Sequence, residues 1–473
     1  MSTSMNAPSA DPVAVPKVPL REGSAPQRPT PNAHPDIDLS INLAGIKSPN
    51  PFWLASAPPA NMGSMVQRAF DCGWGGAVWK TLGDPIINVS SRLASVDYGQ
   101  KRMLGLNNIE LITDRPLEVN LKEIYETKKK YPKHAVIVSL MVENKREIWH
   151  EIVKKSNDTG ADGIELNFGC PHGMSERGMG AATGQVPEYC AMIVEWVKEA
   201  ATIPVLVKLT PNVTDINVPA RAAKSAGADG LSLINTINSV MGVNIDTWAP
   251  TPMVNGKSSH GGYCGPAVKP IALHMLSSLA RDPKIQLPIS GIGGIENWRD
   301  AVEFLLLGAT GLQVCTAVMH YGYRIIEDLV DGLSNYLRSK QLTSVSQLVG
   351  KSVNRIDDWG NLDLRYDVKA RVDYDKCIGC NLCHIACEDG AHQAITLDGP
   401  LVKLANGQTK AGPKVIDREC VGCNLCSLVC PVQNCITMTR VDKETEQLSW
   451  NERKNRGSDE EPRPYAIWER HEH

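Results

Sequence analysis

The chain has almost no net charge, with 49 lysines and arginines against 52 aspartates and glutamates. No overall field would draw it to nucleic acid or to an anionic membrane surface. A long apolar run is also missing. The most apolar stretch, Phe304 to Met319, is interrupted by Gly308 and Gly311 and is too short to span a bilayer. The N-terminus lacks the basic-then-apolar order of a secretory signal. Its proline, alanine and serine content predicts a disordered lead-in over residues 1–36. No Gly-x-Gly-x-x-Gly follows a strand, since Gly178-Met-Gly180 has the wrong spacing to Gly184. A dinucleotide site is therefore not expected on this chain.

Cysteine is present and unevenly placed: of 14, nine lie between Cys377 and Cys435. Cys377-Ile-Gly-Cys380-Asn-Leu-Cys383-His-Ile-Ala-Cys387 is followed by Cys420-Val-Gly-Cys423-Asn-Leu-Cys426-Ser-Leu-Val-Cys430-Pro431. Each is a bacterial ferredoxin run, and two copies imply two 4Fe-4S clusters with exchanged fourth ligands. One cluster would take Cys377, Cys380, Cys383 and Cys430, the other Cys420, Cys423, Cys426 and Cys387. Paired zinc knuckles are the competing reading, disfavoured by the three-cysteine runs and by Pro431. The first run carries Glu388 where the second has its proline. Cys435 lies outside both quartets and reads as a plain thiol. Such spacing without a signal peptide predicts metal binding in a reducing cytoplasm.

Ahead of this module, short apolar runs alternate with helical patterns, the signature of parallel strands joined by crossover helices. Eight strands are predicted: Phe52 to Ala55, Ala77 to Lys80, Ala135 to Leu140, Gly163 to Asn167, Val205 to Leu209, Gly230 to Ile234, Pro288 to Gly291 and Gly311 to Val314. Eight such units in some 300 residues suit a TIM (β/α)8 barrel better than a doubly wound open sheet. The fold class expected is α/β, a TIM barrel over 37–340, a connector over 341–370, a small α+β ferredoxin domain over 371–440 and a polar tail over 441–473. An insert from Met241 to Ala267 lacks strong periodicity, and loops of that length are usually functional or mobile.

Polar residues gather at the predicted strand ends, where barrels place their chemistry. They are Ser56, Lys80 with Thr81, Asn167, Lys208, Asn235 with Thr236, and Cys315 with Thr316. Pro288-Ile-Ser-Gly-Ile-Gly-Gly-Ile295 ends a strand and opens a helix, and with Cys315 and Thr316 it would let Gly293 and Gly294 cradle one phosphate. The bland alternative is a glycine-rich connector. A single phosphate site suits a mononucleotide such as FMN, which couples two-electron chemistry to one-electron clusters. Lys80 and Lys208 sit among apolar strand residues, so partners on a flavin are expected, against simple snorkelling to a surface. Cys170, in Asn167-Phe-Gly-Cys-Pro-His172, lies just past a strand end. A lone cysteine is more often a buried small hydrophobe.

These stretches, with Asn50-Pro-Phe-Trp-Leu-Ala-Ser-Ala57, Asn108-Ile-Glu-Leu-Ile112, Lys208-Leu-Thr-Pro-Asn-Val-Thr-Asp215 and Gln313-Val-Cys315, resemble the dihydroorotate and dihydropyrimidine dehydrogenases, most closely the latter. The likeness covers about Asp38 to Met438. It implies FMN near Ala55, Ser56, Lys80, Thr81, Lys208, Gly293, Gly294, Cys315 and Thr316. It implies pyrimidine contacts from Asn108, Glu110, Ile112, Asn167, Asn235 and Thr236, hydride transfer from flavin to C6, and Cys170 as the acid that protonates C5. Gly169 departs from the animal dihydropyrimidine enzymes, which carry serine there. Those enzymes also hold FAD and nicotinamide domains ahead of the barrel. Resemblance to the split bacterial form implies a separate subunit that binds FAD and NAD(H). Dihydroorotate oxidation and a purely electron-carrying role are the rival functions.

Overall fold

The computed structural model describes residues 34, 36–83, 89, 92–98, 100–364, 366–442 and 448–455. Most of the expected lead-in and the end of the tail lie outside the described residues. The chain divides into two compact units, one running to Asn354 and one from Arg355.

Eight parallel strands close the first unit into a barrel, each paired with its successor and the last with the first. They are β1 (Phe52–Leu54), β2 (Gly76–Val78), β3 (Ala135–Leu140), β4 (Gly163–Asn167), β5 (Val205–Lys208), β6 (Gly230–Leu233), β7 (Ile289–Ile292) and β8 (Ala309–Val314). The strands are buried throughout apart from Thr310, as parallel strands sandwiched between a barrel interior and a ring of helices must be. The helices between them follow the apolar periodicity, as in Arg146–Asn157 and Pro187–Ala200.

Alternation along each strand decides which side chains point inward. On β4, Ile164 and Leu166 join the large apolar cluster, while Glu165 meets Ser232 on β6 and Asn167 meets Thr81 just past the end of β2. An antiparallel hairpin, Ile41–Leu43 with Ile46–Ser48, lies across the N-terminal ends of the strands. Ile46 packs against Gly163, and Leu43 against Gly311. This end of the barrel is filled by side chains.

The opposite end is roofed by a four-stranded antiparallel sheet in the order Ile237–Ser239, Gly261–Cys264, Lys101–Asn108, Leu93–Tyr98. One of its four strands, Gly261–Cys264, comes from the insert read as aperiodic, and it pairs with both Lys101–Asn108 and Ile237–Ser239. The segment expected to begin a connector at 341 instead packs with the barrel as far as Asn354. Val345 and Leu348 are buried in the barrel's core, and Asp38 bridges to Ser344.

In the second unit, Tyr366–Val372 pairs along its whole length with Ile436–Asp442. Both strands cross the boundaries expected at 370 and 440. The tail also forms a short helix, Trp450–Asn455, in which Asn451 hydrogen-bonds to Asn361. The two cysteine runs have matching backbones, with Gly379 at φ +68° and Gly422 at φ +72°, each followed by a helix. The first helix extends over Leu382–Gly390. The second stops at Leu428, just ahead of Pro431, which lacks the amide needed to continue it.

Candidate active site and cluster cavities

A cavity of about 1150 Å³ opens at the C-terminal ends of the barrel strands, beneath the roof sheet. It is lined by Ala55, Ser56, Lys80, Thr81, Asn108, Glu110, Asn167, Cys170, Lys208, Asn235, Thr236, Gly293, Gly294, Cys315 and Thr316. These are all but one of the residues expected from the sequence.

The exception is Ile112. Its side chain is buried behind the wall in a small apolar cluster with Met141, Met174 and Met179, and its neighbour Leu111 lines the cavity instead. A branched apolar side chain at this turn gains more from that cluster than from a polar cavity. The Ile112 side chain therefore supports the wall from behind and does not line the cavity.

The floor and one wall form a hydrogen-bonded chain across the barrel top. Thr81 Oγ1 meets Ser56 Oγ and Ser139 Oγ, both at 3.0 Å, and accepts from Asn167 Nδ2 at 2.9 Å. Asn167 Oδ1 accepts from Asn235 Nδ2 at 2.8 Å and from the Gly169 amide at 3.2 Å. Asn235 Oδ1 accepts from the Thr236 amide at 2.8 Å. Each amide is locked in orientation by its neighbour. Residues set this way can present fixed donors and acceptors to a planar ring.

Two ammonium groups face the cavity from depth, Lys80 and Lys208, each 5% exposed. Lys80 Nζ donates to Glu110 Oε1 at 2.5 Å, and Arg92 approaches the same oxygen at 3.3 Å. Lys208 Nζ lies 4.0 Å from Glu165 Oε1. Glu165 was missed by the sequence reading. A carboxylate inside the otherwise apolar strand Gly163–Asn167 is the same signal that marked the two lysines.

The loop after β7 is held rigidly. Asn297 caps the helix Trp298–Leu306 by accepting from the Arg299 and Asp300 amides, and Asp300 returns the bond to the Asn297 amide at 3.0 Å. Lys269 Nζ donates to Asp300 at 2.7 Å. Gly293 and Gly294 precede this cap with φ of +125° and +80°. A Cβ on Gly294 would stand 2.8 Å from Lys269 Cβ and 2.9 Å from its backbone nitrogen. Only glycine suits that turn, and its bare backbone faces the cavity, which fits the phosphate of a mononucleotide. The roof is tied to this loop by an ion pair between Lys101 and Glu296, with the Tyr321 hydroxyl donating to Glu296 at 3.2 Å.

Cys170 sits on the loop after β4. Its carbonyl accepts from Ser175 Oγ at 2.7 Å and from the Ala181 amide at 3.0 Å, which fixes the loop. Burial pushes its thiol up to about 11, so it is protonated at neutral pH. His172 Nε2 bonds the Glu110 carbonyl at 2.8 Å, and burial holds its imidazole below the usual range. Cys264 and Cys315 are likewise pushed up by burial.

The second unit holds two cavities of about 340 Å³ each. One is lined by Cys377, Cys380, Cys383 and Cys430, the other by Cys420, Cys423, Cys426 and Cys387. Each therefore gathers three thiols from one run and one from the other. Among the described residues, no three His, Cys, Asp or Glu side chains share a point that one ion could occupy. Thiols spread around a void suit a multi-iron cluster, whose irons fill the centre. Cys435, read as a plain thiol, also lines the first cavity.

Residues 38–337 match the family model for dihydroorotate dehydrogenase, and 370–438 match a 4Fe-4S dicluster domain. The chain is 46% identical over 360 residues to the NAD-dependent dihydropyrimidine dehydrogenase subunit PreA of Escherichia coli, covering 76% of this chain and 87% of that one. It is 42% identical to the chloroplastic dihydropyrimidine dehydrogenase (NADP(+)) of Arabidopsis thaliana, over 68% of this chain and 78% of the other. Among solved structures, a dihydroorotate dehydrogenase of Eimeria tenella in complex with ferulenol superposes with a TM-score of 0.54 at 18% identity, over 66% of this chain and 88% of that one. That last likeness concerns the fold alone.

Proposed function

The chain belongs to the dihydroorotate dehydrogenase family, with a 4Fe-4S dicluster domain fused behind the barrel, and from that premise we propose that it reduces the 5,6 double bond of uracil and thymine. One observation carries this reading. A buried, protonated thiol, Cys170, shares a cavity with a glycine cradle, two buried lysines and a ring of oriented amides.

FMN would be held by the backbone of Gly293, Gly294, Cys315 and Thr316 at its phosphate, and by Ala55, Ser56, Lys80, Thr81 and Lys208 along the rest of the molecule. When bound it supplies the hydride that goes to C6. Cys170 gives C5 its proton, so the substrate gains two electrons and two protons in all. Asn108, Glu110, Asn167, Asn235 and Thr236 hold the pyrimidine, whose alternating donors and acceptors suit amide and carboxylate side chains. The roof sheet and Leu111 line the same cavity, so a substrate bound there loses part of its contact with bulk water.

The electrons originate from NADH on a separate FAD-containing subunit and reach the barrel through the two clusters. That the Escherichia coli relative is named a subunit and is NAD-dependent supports this route. Among the described residues no helix is long and apolar enough to cross a membrane. Fourteen unpaired cysteines suit the reducing cytoplasm.

The test is an anaerobic assay of the purified chain with reduced viologen against uracil, thymine and orotate. Uracil and thymine should be reduced, with NADH inert until an FAD protein is added. Turnover of orotate without uracil would overturn the proposal in favour of dihydroorotate chemistry, the activity named for a relative in Pyrococcus abyssi that is 38% identical.

A further inference from the structure

The barrel interior pairs its buried charges unequally. Lys80 is in hydrogen-bond contact with Glu110. Lys208 is not so joined to Glu165, whose Oε1 lies 4.0 Å away, within Coulombic reach but beyond a hydrogen bond.

Glu165 itself cannot relax to close that gap. It is fully buried, and its Oε2 accepts from Ser232 Oγ on β6 and from Gln313 Nε2 on β8, each at 2.8 Å. Its Oε1 accepts no hydrogen bond. A carboxylate clamped by one oxygen, with the other open in the barrel interior, is costly unless a cation faces it. Lys208 is the cation on that side. Lys208 lines the cavity and Glu165 does not, so the carboxylate touches no bound group and acts on one through its field and through the placement of the lysine.

We infer that Glu165 is a positioning residue for Lys208: anchored by Ser232 and Gln313, it holds the ammonium at the base of the flavin seat and offsets part of its positive charge. Glutamine at 165 removes the offset while keeping the shape. The seat then becomes more positive, and any state of the flavin that carries extra negative charge is favoured.

This inference rests on the flavin seat proposed above, and its test separates the two. Sulfite adds to oxidised flavin and leaves a negative charge on the ring, so its dissociation constant reads the local charge without turnover. Glu165→Gln should bind sulfite on the order of tenfold more tightly, the effect of one unit charge at moderate distance in protein. Glu165→Asp, which keeps the charge, should stay close to the native value. Lys208→Met should weaken sulfite binding, and in that background Glu165→Gln should tighten it by less than in the native protein, because the part exerted through the placement of the ammonium is gone. Flavin retained with unchanged sulfite affinity in Glu165→Gln would overturn the role of Glu165 alone. A full Glu165→Gln effect in the Lys208→Met background would show that the carboxylate does not act through the lysine. Absence of flavin absorbance from the native protein would overturn the seat, and the role with it.

Discussion

Gly169 and Asn235 are packed so closely that a Cβ on residue 169 would stand 2.3 Å from the Cβ of Asn235. The bare backbone here lets Asn235 reach Asn167 Oδ1 at 2.8 Å. Serine, which the animal dihydropyrimidine enzymes carry, cannot be accommodated unless Asn235 moves. Gly169→Ser should therefore raise KM for uracil more than it lowers kcat. The check is steady-state kinetics with a viologen donor; unchanged KM would mean that Asn235 does not orient the substrate.

The raised pKa of Cys170 fixes the sign of a pH dependence. The protonated thiol is the acid, and burial keeps it protonated until about 11. An ordinary thiol would lose its proton near roughly 8.5. Reoxidation of pre-reduced protein by uracil should thus show no loss from this group at a pH near the ordinary thiol value. Stability follows the same sign. The share gained by burying a neutral thiol is complete below the unfolded thiol's pKa and lost as pH rises toward about 11. Cys170→Ala should slow the reoxidation on the order of a hundred- to ten-thousand-fold while flavin and iron contents stay native. Stopped-flow measurement would settle both points, and a falling limb centred on the ordinary thiol value would contradict the first.

The mixed lining of the two cysteine cavities predicts a crossed pattern of cluster loss. Cys387→Ala should disturb the cluster built on the second run, and Cys430→Ala the one built on the first. Electron paramagnetic resonance of the reduced variants can tell which signal survives. Loss of the cluster from the variant's own run in both cases would mean that the fourth thiolates are not exchanged.

At the phosphate cradle, Gly294→Val places a branched side chain at φ +80° and against Lys269. It should purify with little flavin while both clusters remain, because the cysteine cavities belong to the other unit. Flavin and iron assays on one preparation test this. Native flavin content would remove Gly294 from the seat.

The barrel was legible because parallel strands buried on both faces read as unbroken apolar runs. Val136 to Val138 and Val205 to Val207 could hardly be anything else. The roof was not. Leu93–Tyr98 is largely exposed, with no apolar alternation to mark it, and Gly261–Cys264 becomes a strand by pairing with Ile237–Ser239 and with Leu106 to Asn108, far away in sequence. Site residues at strand ends stood out by contrast with their apolar neighbours. Glu165 carries the same contrast two residues before Asn167, but in the middle of its strand, where a buried carboxylate reads as packing and not as a site. Around Ile112 the sequence offers two adjacent apolar side chains, and nothing in it distinguishes Leu111, which lines the cavity, from Ile112, which is buried with Met141 and Met174.

The crossed cysteine lining bears on how the protein is made. The four thiols around one cavity are all synthesised only when Cys426 has been added, and those around the other only when Cys430 has. A ribosome translating this chain thus completes the barrel sequence long before either iron site can be filled, and then completes both almost at once. Iron delivery is therefore a late event in biogenesis, in which both clusters arrive on a nearly finished polypeptide.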